Sequence, residues 1–529
     1  MYALEIYMRK LFYTILILII IMVAAFLVSP YFLGSRAQEQ FHDKIVTFNK
    51  TSPYSSFVTI IPESYQRHWF SSDAQIKVIF HTPANGAYQN VDKSFTYKAT
   101  IKHGPLFFIT KNGKASIHLG PGAIIIRGDT PEFNGLIAIS LNWNNQLNID
   151  ANIPTLALKD SQNNSFTFHN LKFTTQPSAN NNEKYTLLLP NFVAQINTAN
   201  PAGIITIDNT KLTVNGHDDQ GAWLGTNDFT IDTITANIKE NGVEIPIVYM
   251  KNIAANMDIN PTDDKTKLNS LLNFNIESLT AAGKTIKPIT LSYEIDGVNA
   301  AAYRQLITSI NKVQAITKMP SLPDMMSAVD ATLKIIESGL ILKVNKIYVG
   351  LPKNLASSPL SANAQLIIKP SATDLSQEIT PITSAITPTS AKPGQQYLQN
   401  SITINMNKLI SPLLNRLTHS ITASGHALIP ESLVKQVLLK RYTEILMRMA
   451  ARGKNVTQTP QDLANDAYDY LTSHNMLIAN HDGSMKVHAT FTNGDLLING
   501  EKPALDLPNP GNQTTQSLST ITPEHTASP

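Results

Sequence analysis

A serine and a lysine three residues apart on a helix supply the nucleophile and the base of one class of acyl-transfer enzyme. The chain carries that pattern twice, at Ser309-Ile310-Asn311-Lys312 and at Ser432-Leu433-Val434-Lys435. Neither copy has the Ser-Asp-Asn or Lys-Thr-Gly partner that completes such a site, so both read as surface residues of amphipathic helices. Gly283-Lys284-Thr285 resembles the end of a phosphate-binding loop, but Ser278 stands where that loop needs the glycine that lets backbone amides cradle a phosphate. His103, His169, His474, His481 and His488 show no metal-ligand spacing. Asp482-Gly483 lacks the alternating oxygen donors and the twelfth-position Glu of a calcium loop. No G-x-S-x-G motif occurs, and no cysteine is present to act as nucleophile or thiolate ligand. The expectation is a protein that is not an enzyme, with no catalytic residue, cofactor or metal.

The elements that would position any site are mostly strands. From about Ser56 to Asp296 the dominant pattern is short-range alternation, as where Ile289, Leu291, Tyr293 and Ile295 interleave with Thr290, Ser292, Glu294 and Asp296. Phe166 and Phe168, then Leu171 and Phe173, alternate similarly but fall out of phase near Asn170. Ala123 to Ile126, Leu187 to Leu189 and Gly203 to Ile205 are apolar at consecutive positions, which predicts strands covered on both faces. Asn-, Gly-, Asp- and Pro-rich turns between them predict large antiparallel sheets.

Helices are expected from Asn299 to Lys318 behind an Asn cap, and from Pro323 to about Glu337, stopped by Gly339. A third runs from Pro430 to Arg452 with Val434, Val437, Leu438, Ile445 and Met449 as its apolar face, broadened by Leu433, Leu439 and Tyr442. A companion begins at Thr459-Pro460 and turns Leu463, Ala467, Tyr470 and Leu471 inward. Asn493-Gly494 between two alternating runs predicts a hairpin over 484–499, because its tight turn needs positive φ at both central residues. The fold class is therefore α+β, mainly β: one N-terminal transmembrane helix, large antiparallel sheets, a few amphipathic helices in the second half and a C-terminal β-hairpin.

Eighteen uncharged residues, Leu11 to Val28, make a helix of roughly 27 Å, close to the thickness of a bilayer core. The run is longer than a cleavable signal's apolar region and has no small-x-small cleavage site, and without cysteine there is no lipoprotein processing. We read it as a signal anchor over 11–33. Arg9 and Lys10 before it keep residues 1–10 cytoplasmic and put the bulk of the chain outside, in the periplasm of a Gram-negative cell. Beyond the anchor come a β-rich region (37–298), a helical segment (299–338), an α+β region (339–507) with a Ser/Thr/Pro-rich loop at 370–393, and a disordered tail (508–529). The net charge of +3 and the 15% charged residues exclude the basic stripe of a nucleic-acid binder.

Tyr65-Gln66-Arg67-His68-Trp69-Phe70-Ser71-Ser72, followed by a strand from Ala74 to Phe80, resembles the Y-x-R-G-x-F-S-S signature of the YdgA-like bacterial family (domain of unknown function 945). His68 stands where that family has Gly. His103-Gly104-Pro105-Leu106 is similar to its H-G-P-[FL] segment, and Phe491-Thr492-Asn493-Gly494-Asp495-Leu496-Leu497-Ile498-Asn499-Gly500 to its closing F-x-N-G-x-L-x-L-N-G element. The resemblance covers roughly residues 5 to 507. It implies an inner-membrane-anchored, periplasm-facing protein of unknown activity and brings no catalytic residue.

Physically, the motif residues read as structural. Trp69 and Phe70 are expected to anchor a strand end in the core, Ser71 and Ser72 to turn the chain, and His103 to cap a break at Gly104-Pro105. His68 is expected to bear any positive φ that the family glycine needs. The partners expected are the inner membrane through 11–33 and a lipid or other amphipathic ligand in an apolar β-groove. The alternative is an assembly protein acting as a homo-oligomer, and a hydrolase with an unrecognised site stands third.

Overall fold

Strict alternation of apolar with Thr, Asn, Ser and Asp residues builds strands that bury one face and solvate the other, and almost every element of this chain follows that rule. In the computed structural model the described residues are 30, 32–39, 41–43, 45–46, 49, 58–80, 93–103, 106–111, 114–119, 122–141, 147–159, 162–177, 183–197, 202–219, 222–240, 242–314, 322–370, 420–452 and 458–503. The first eleven strands are β1 (Val58–Arg67), β2 (Ser71–Phe80), β3 (Lys93–His103), β4 (Leu106–Lys111), β5 (Lys114–Leu119), β6 (Gly122–Asp129), β7 (Phe133–Leu141), β8 (Leu147–Lys159), β9 (Ser165–Pro177), β10 (Glu183–Ile196) and β11 (Ala202–Asp219). The others are β12 (Ala222–Glu240), β13 (Val243–Pro261), β14 (Lys267–Ala281), β15 (Lys284–Ile286), β16 (Ile289–Asn299), β17 (Leu340–Val349), β18 (Leu360–Ile368), β19 (Ile421–Pro430), β20 (Ile478–Ala479), β21 (Ser484–Thr492) and β22 (Asp495–Ile498). Among the described residues of the second half lie the helices α1 (Ala300–Gln314), α2 (Leu322–Glu337), α3 (Glu431–Ala451) and α4 (Pro460–Ser473).

The fold is mainly β. Twenty strands form one antiparallel sheet, and β4 with β5 makes a separate hairpin. Large sheets were the expectation; there is one, and it is a meander in which each strand pairs with its neighbours in chain order, except that β3 joins β6, β14 joins β16 and β19 joins β21. β20 and β22 share the outer edge of β21.

Cross-strand register lines up one apolar row over seventeen strands: Tyr65, Ala74, Ala99, Ile126, Ile137, Ala151, Phe173, Leu187, Leu212, Phe229, Ala255, Phe274, Leu291, Ile347, Ala362, Ala427 and Val487. At about 4.8 Å between strands this row is about 77 Å long. One residue further along each strand lies a polar row on the opposite face: Asp150, Thr174, Thr186, Thr213, Asp228, Asn256, Asn273, Ser292 and Lys346. Side chains along it bond to one another, Asn256 Nδ2 donating to Asp228 Oδ1 (2.6 Å) and Ser292 Oγ to Asn273 Oδ1 (2.7 Å).

A crease crosses the middle of the sheet. Asn170 in β9, Asn209 in β11 and Asn252 in β13 have φ of 56°, 53° and 49°. Pro190 of β10 lies on the same line, where the register of β10 with β11 skips from Leu189 to Asn191. The phase break read at Asn170 is thus a left-handed residue that absorbs one position, a conformation Asn tolerates better than most. Apolar residues from both sides of the crease then share one face, and Ile207, Phe229, Ile234, Met250 and Phe274 all pack against Ile231, Ile253 and Ile276. On the crease, Asn209 Nδ2 donates to Asp232 (2.9 Å), and Asn252 and Lys251 bond Glu277. These bonds, Asn252 first and Lys251 next, hold the Glu277 carboxyl below its usual range.

Local expectations meet the structure unevenly. Asn299 Oδ1 caps α1 by accepting the Ala302 N–H (2.9 Å), and Gly339 stops α2 with φ 75°. Thr459 and Asp462 form a reciprocal capping box on α4. The face of α3 is largely the expected one, with Leu438, Leu439, Ile445 and Met449 packed toward α4, but it departs at Val437. Val437 is 58% exposed, while Tyr442 and Leu446 are buried against Leu463, Ala464 and Ala467 of α4. Two-sided cover holds for β6 but fails for β10 and β11, where Leu188 and Ile205 are each 37% exposed. Residues 1–10, the anchor through residue 29, most of the loop at 370–393 and the tail at 508–529 lie outside the described residues. Among the described residues no helix is long and apolar enough to cross a membrane.

Candidate functional site

Two places gather the residues singled out above. In the first, the hairpin β1–β2 and strand β3 bring Tyr65, Ser72 and His103 together. Ser72 Oγ lies 2.8 Å from His103 Nε2, and the two residues are 0% and 1% exposed. Burial, then the Arg67 and Lys102 charges, push the His103 imidazole down, so the ring is neutral. Burial pushes the Tyr65 phenol up, against Ser72 and Arg67, which pull it down.

A Ser–His pair becomes a nucleophile when an acid orients the second ring nitrogen and substrate can reach the hydroxyl. Here His103 Nδ1 has no hydrogen-bond partner among the described residues. The Asp73 carboxylate turns away to His68 Nε2 (3.2 Å) and the Thr100 hydroxyl (3.3 Å). Helical residues 32–39 close the cluster off. A Cβ on Gly34 would lie 2.2 Å from His103 Nδ1, so this stem meets the sheet through a bare backbone. Ala37 and Phe41 of the stem pack with Ala74, Ala99 and Ile101.

Three motif expectations are corrected here. Trp69 and Phe70 do not anchor a core; they are 51% and 49% exposed, because they occupy the connection between β1 and β2 at the sheet edge. Ser72 does not turn the chain but lies within β2 as the buried partner of His103. Position 68 is not among the residues with positive φ, so His68 bears no such strain. Gly104 and Pro105 lie outside the described residues.

The second place is on the apolar face between β16 and β22. An open depression of about 420 Å³ has an almost wholly apolar surface. Its floor is a line of small residues, Ala364, Gly425 and Ala489, adjacent in register with Val344 and Tyr293. Its wall is the next line, Leu342, Leu366, Ala423, Phe491 and Leu496. The floor is close-set, since a Cβ on Gly425 would sit 3.3 Å from both the Ala364 Cβ and the Asn363 carbonyl oxygen.

The C-terminal motif builds the wall. Asn493 and Gly494, with φ of 54° and 87°, make the predicted tight turn that folds Leu496 onto Phe491. Asn499, at φ 50°, exchanges two bonds with the His488 main chain (2.8 and 2.6 Å), and Gly500 follows at φ 92°. Phe491 therefore lines a surface as well as shaping the hairpin. Leu496 and the three small floor residues escaped sequence reasoning, since their adjacency exists only in the register of four strands.

The other fragments with a chemical look serve local structure. Gly283, at φ 73°, sits in the turn between β14 and β15, and Asp482 Oδ1 accepts from the Ser484 N–H (2.9 Å) and hydroxyl (2.6 Å). Ser309 Oγ donates to the Gln305 carbonyl, Ser432 Oγ donates to the Leu355 carbonyl, and Lys435 pairs with Glu431.

A family model described as a bacterial protein of unknown function (DUF945) matches residues 8–506. The chain belongs to this family. No curated protein and no solved structure matches it. Membership in DUF945 brings no assigned chemistry, so the two places must be judged on their geometry. The Ser72–His103 cluster is sealed. The depression is open and continuous with the apolar row.

Proposed function

We propose that this protein is a non-enzymatic binding protein of the bacterial inner membrane. It is tethered through residues 11–33, faces the periplasm, and its apolar sheet face receives the hydrocarbon of a lipid or another amphipathic ligand. One observation carries the reading: from Phe173 to Val487 every member of the apolar row is only half-buried among the described residues, while the opposite face is polar. A contiguous apolar surface of this extent marks a binding face in soluble proteins. A hydrocarbon chain of about fifteen methylenes laid on it, with about half of each covered, gains on the order of 6 kcal/mol before the loss of its own freedom is subtracted.

The test is binding of a fluorescent polyene fatty acid to the purified full-length chain, with native mass spectrometry for co-purified lipid. Gly425→Phe and Ala489→Phe fill the depression and are expected to weaken probe binding by about tenfold or more. No retained lipid and no saturable binding by the unmodified chain would sink the reading. Val437 and Met447 of α3, 58% and 66% exposed, favour a second reading as a self-associating assembly protein. Sedimentation that stays monomeric at high concentration removes it.

A further inference from the structure

The apolar row is far longer than a ligand needs. Its open part, from Phe173 in β9 to Val487 in β21, crosses eleven strands, about 48 Å at 4.8 Å a strand. A lipid tail spans half a bilayer core, about 15 Å. A seat for one lipid would be about a third of that length, with polar side chains on either side. Here the row contains no charged residue at any strand, whereas the opposite face carries Asp150, Asp228 and Lys346.

The two ends of the row differ. At one end the stem lies on Ala74 and Ala99, and Ala37 follows the expected anchor by four residues, about 6 Å of helix. With residues 11–33 in the membrane, that end stands at the bilayer surface, and the row is open from Phe173, four strand spacings beyond Ala99. At the other end lies the 420 Å³ depression. Beyond it the sheet stops at the four-residue β22, with Asn499 closing the His488 main chain.

We propose that the face is a path and not only a seat: membrane phospholipids enter it from the stem side at β9, and their acyl chains pass from strand to strand to the depression. This rests on the lipid-binding reading above, and its test is chosen to fail separately. In the full-length chain in its native membrane, a photo-crosslinking amino acid is placed at Leu212, at Ala489, or at Thr213 on the opposite face. Phospholipid adducts at Leu212 and Ala489 but not at Thr213 are expected. Adducts at Ala489 with none at Leu212 would leave a seat and overturn the path. Adducts at Thr213 equal to those at Leu212 would also overturn it, and adducts nowhere would sink both readings.

A second measurement follows labelled phosphatidylglycerol from vesicles carrying the full chain to acceptor vesicles. Ala255→Glu, at mid-row, is expected to slow transfer about tenfold while fatty-acid binding at the depression stays within about twofold. Ala255→Ser is expected to keep both. Transfer unaffected by Ala255→Glu would overturn the path.

Discussion

The two halves of the sheet use the same alternation to different ends. At the stem end the inner row of β2 and β3 is packed, and in β6 and β7 the opposite face is packed as well. Ala74, Ala99 and Ile101 lie under the stem, and Ala123, Ile125 and Ala138 are buried on the opposite side. In β9–β19 one face is a ladder of Thr, Asn, Ser and Asp and the other is half-exposed hydrocarbon. The contrast lies in the outer row, which is polar in the open half but becomes Ile125 and Ala138 in the closed half. An inward-facing apolar row is thus a core where something lies over it and a receptive surface where nothing does. The row itself does not tell which.

The sharpest way to break that contrast is at the sealed cluster. His103→Ala strips Ser72 of its buried partner and leaves a void, so stability is expected to fall by about 3 kcal/mol in denaturant unfolding. Next comes a matched pair at equivalent row positions. Ala99→Leu overpacks beneath the stem and is expected to lose about 1–3 kcal/mol, whereas Ala255→Leu in the open half stays within about 0.5 kcal/mol. Equal losses would mean that the middle of the row is covered after all. At the crease, Asn252→Ala puts a residue with no local hydrogen bond into positive φ and is expected to lose about 1 kcal/mol, with Asn252→Gly recovering most of it.

The smallest effect concerns the turn between β13 and β14. The Thr262 hydroxyl, then the Thr266 N–H and hydroxyl, hold the exposed Asp264 carboxyl at about 2. Its folded value is depressed, so its contribution is present above the unfolded value near 4 and fades as pH falls toward about 2. A carbon-detected titration of Asp264 is expected to show that midpoint, and Asp264→Asn removes the pH dependence.

Much of this was legible beforehand because strands and caps are local. Asn493-Gly494, the Asn299 cap, the Gly339 stop and the phase break at Asn170 each announce a backbone geometry in two or three residues. Cover is not local. Leu187 to Leu189 reads as a strand buried on both sides, yet Leu188 faces solvent, since a run of apolar residues does not reveal whether a second layer exists. Trp69 and Phe70 misled for the same reason: large aromatic residues predict burial, and the edge of a single-layer sheet gives them none. The depression was illegible, because Ala364, Gly425 and Ala489 are far apart in sequence and ordinary in type.

The meander order has one more consequence. Position along the chain is position along the row, so the molecule is a ruler graduated in strands. Each added or deleted hairpin changes its length by two strand spacings, about 10 Å, and leaves both ends intact. Lineages that insert or lose a hairpin between β8 and β16 would be selecting a span, and the distance served by the protein is written into its number of turns.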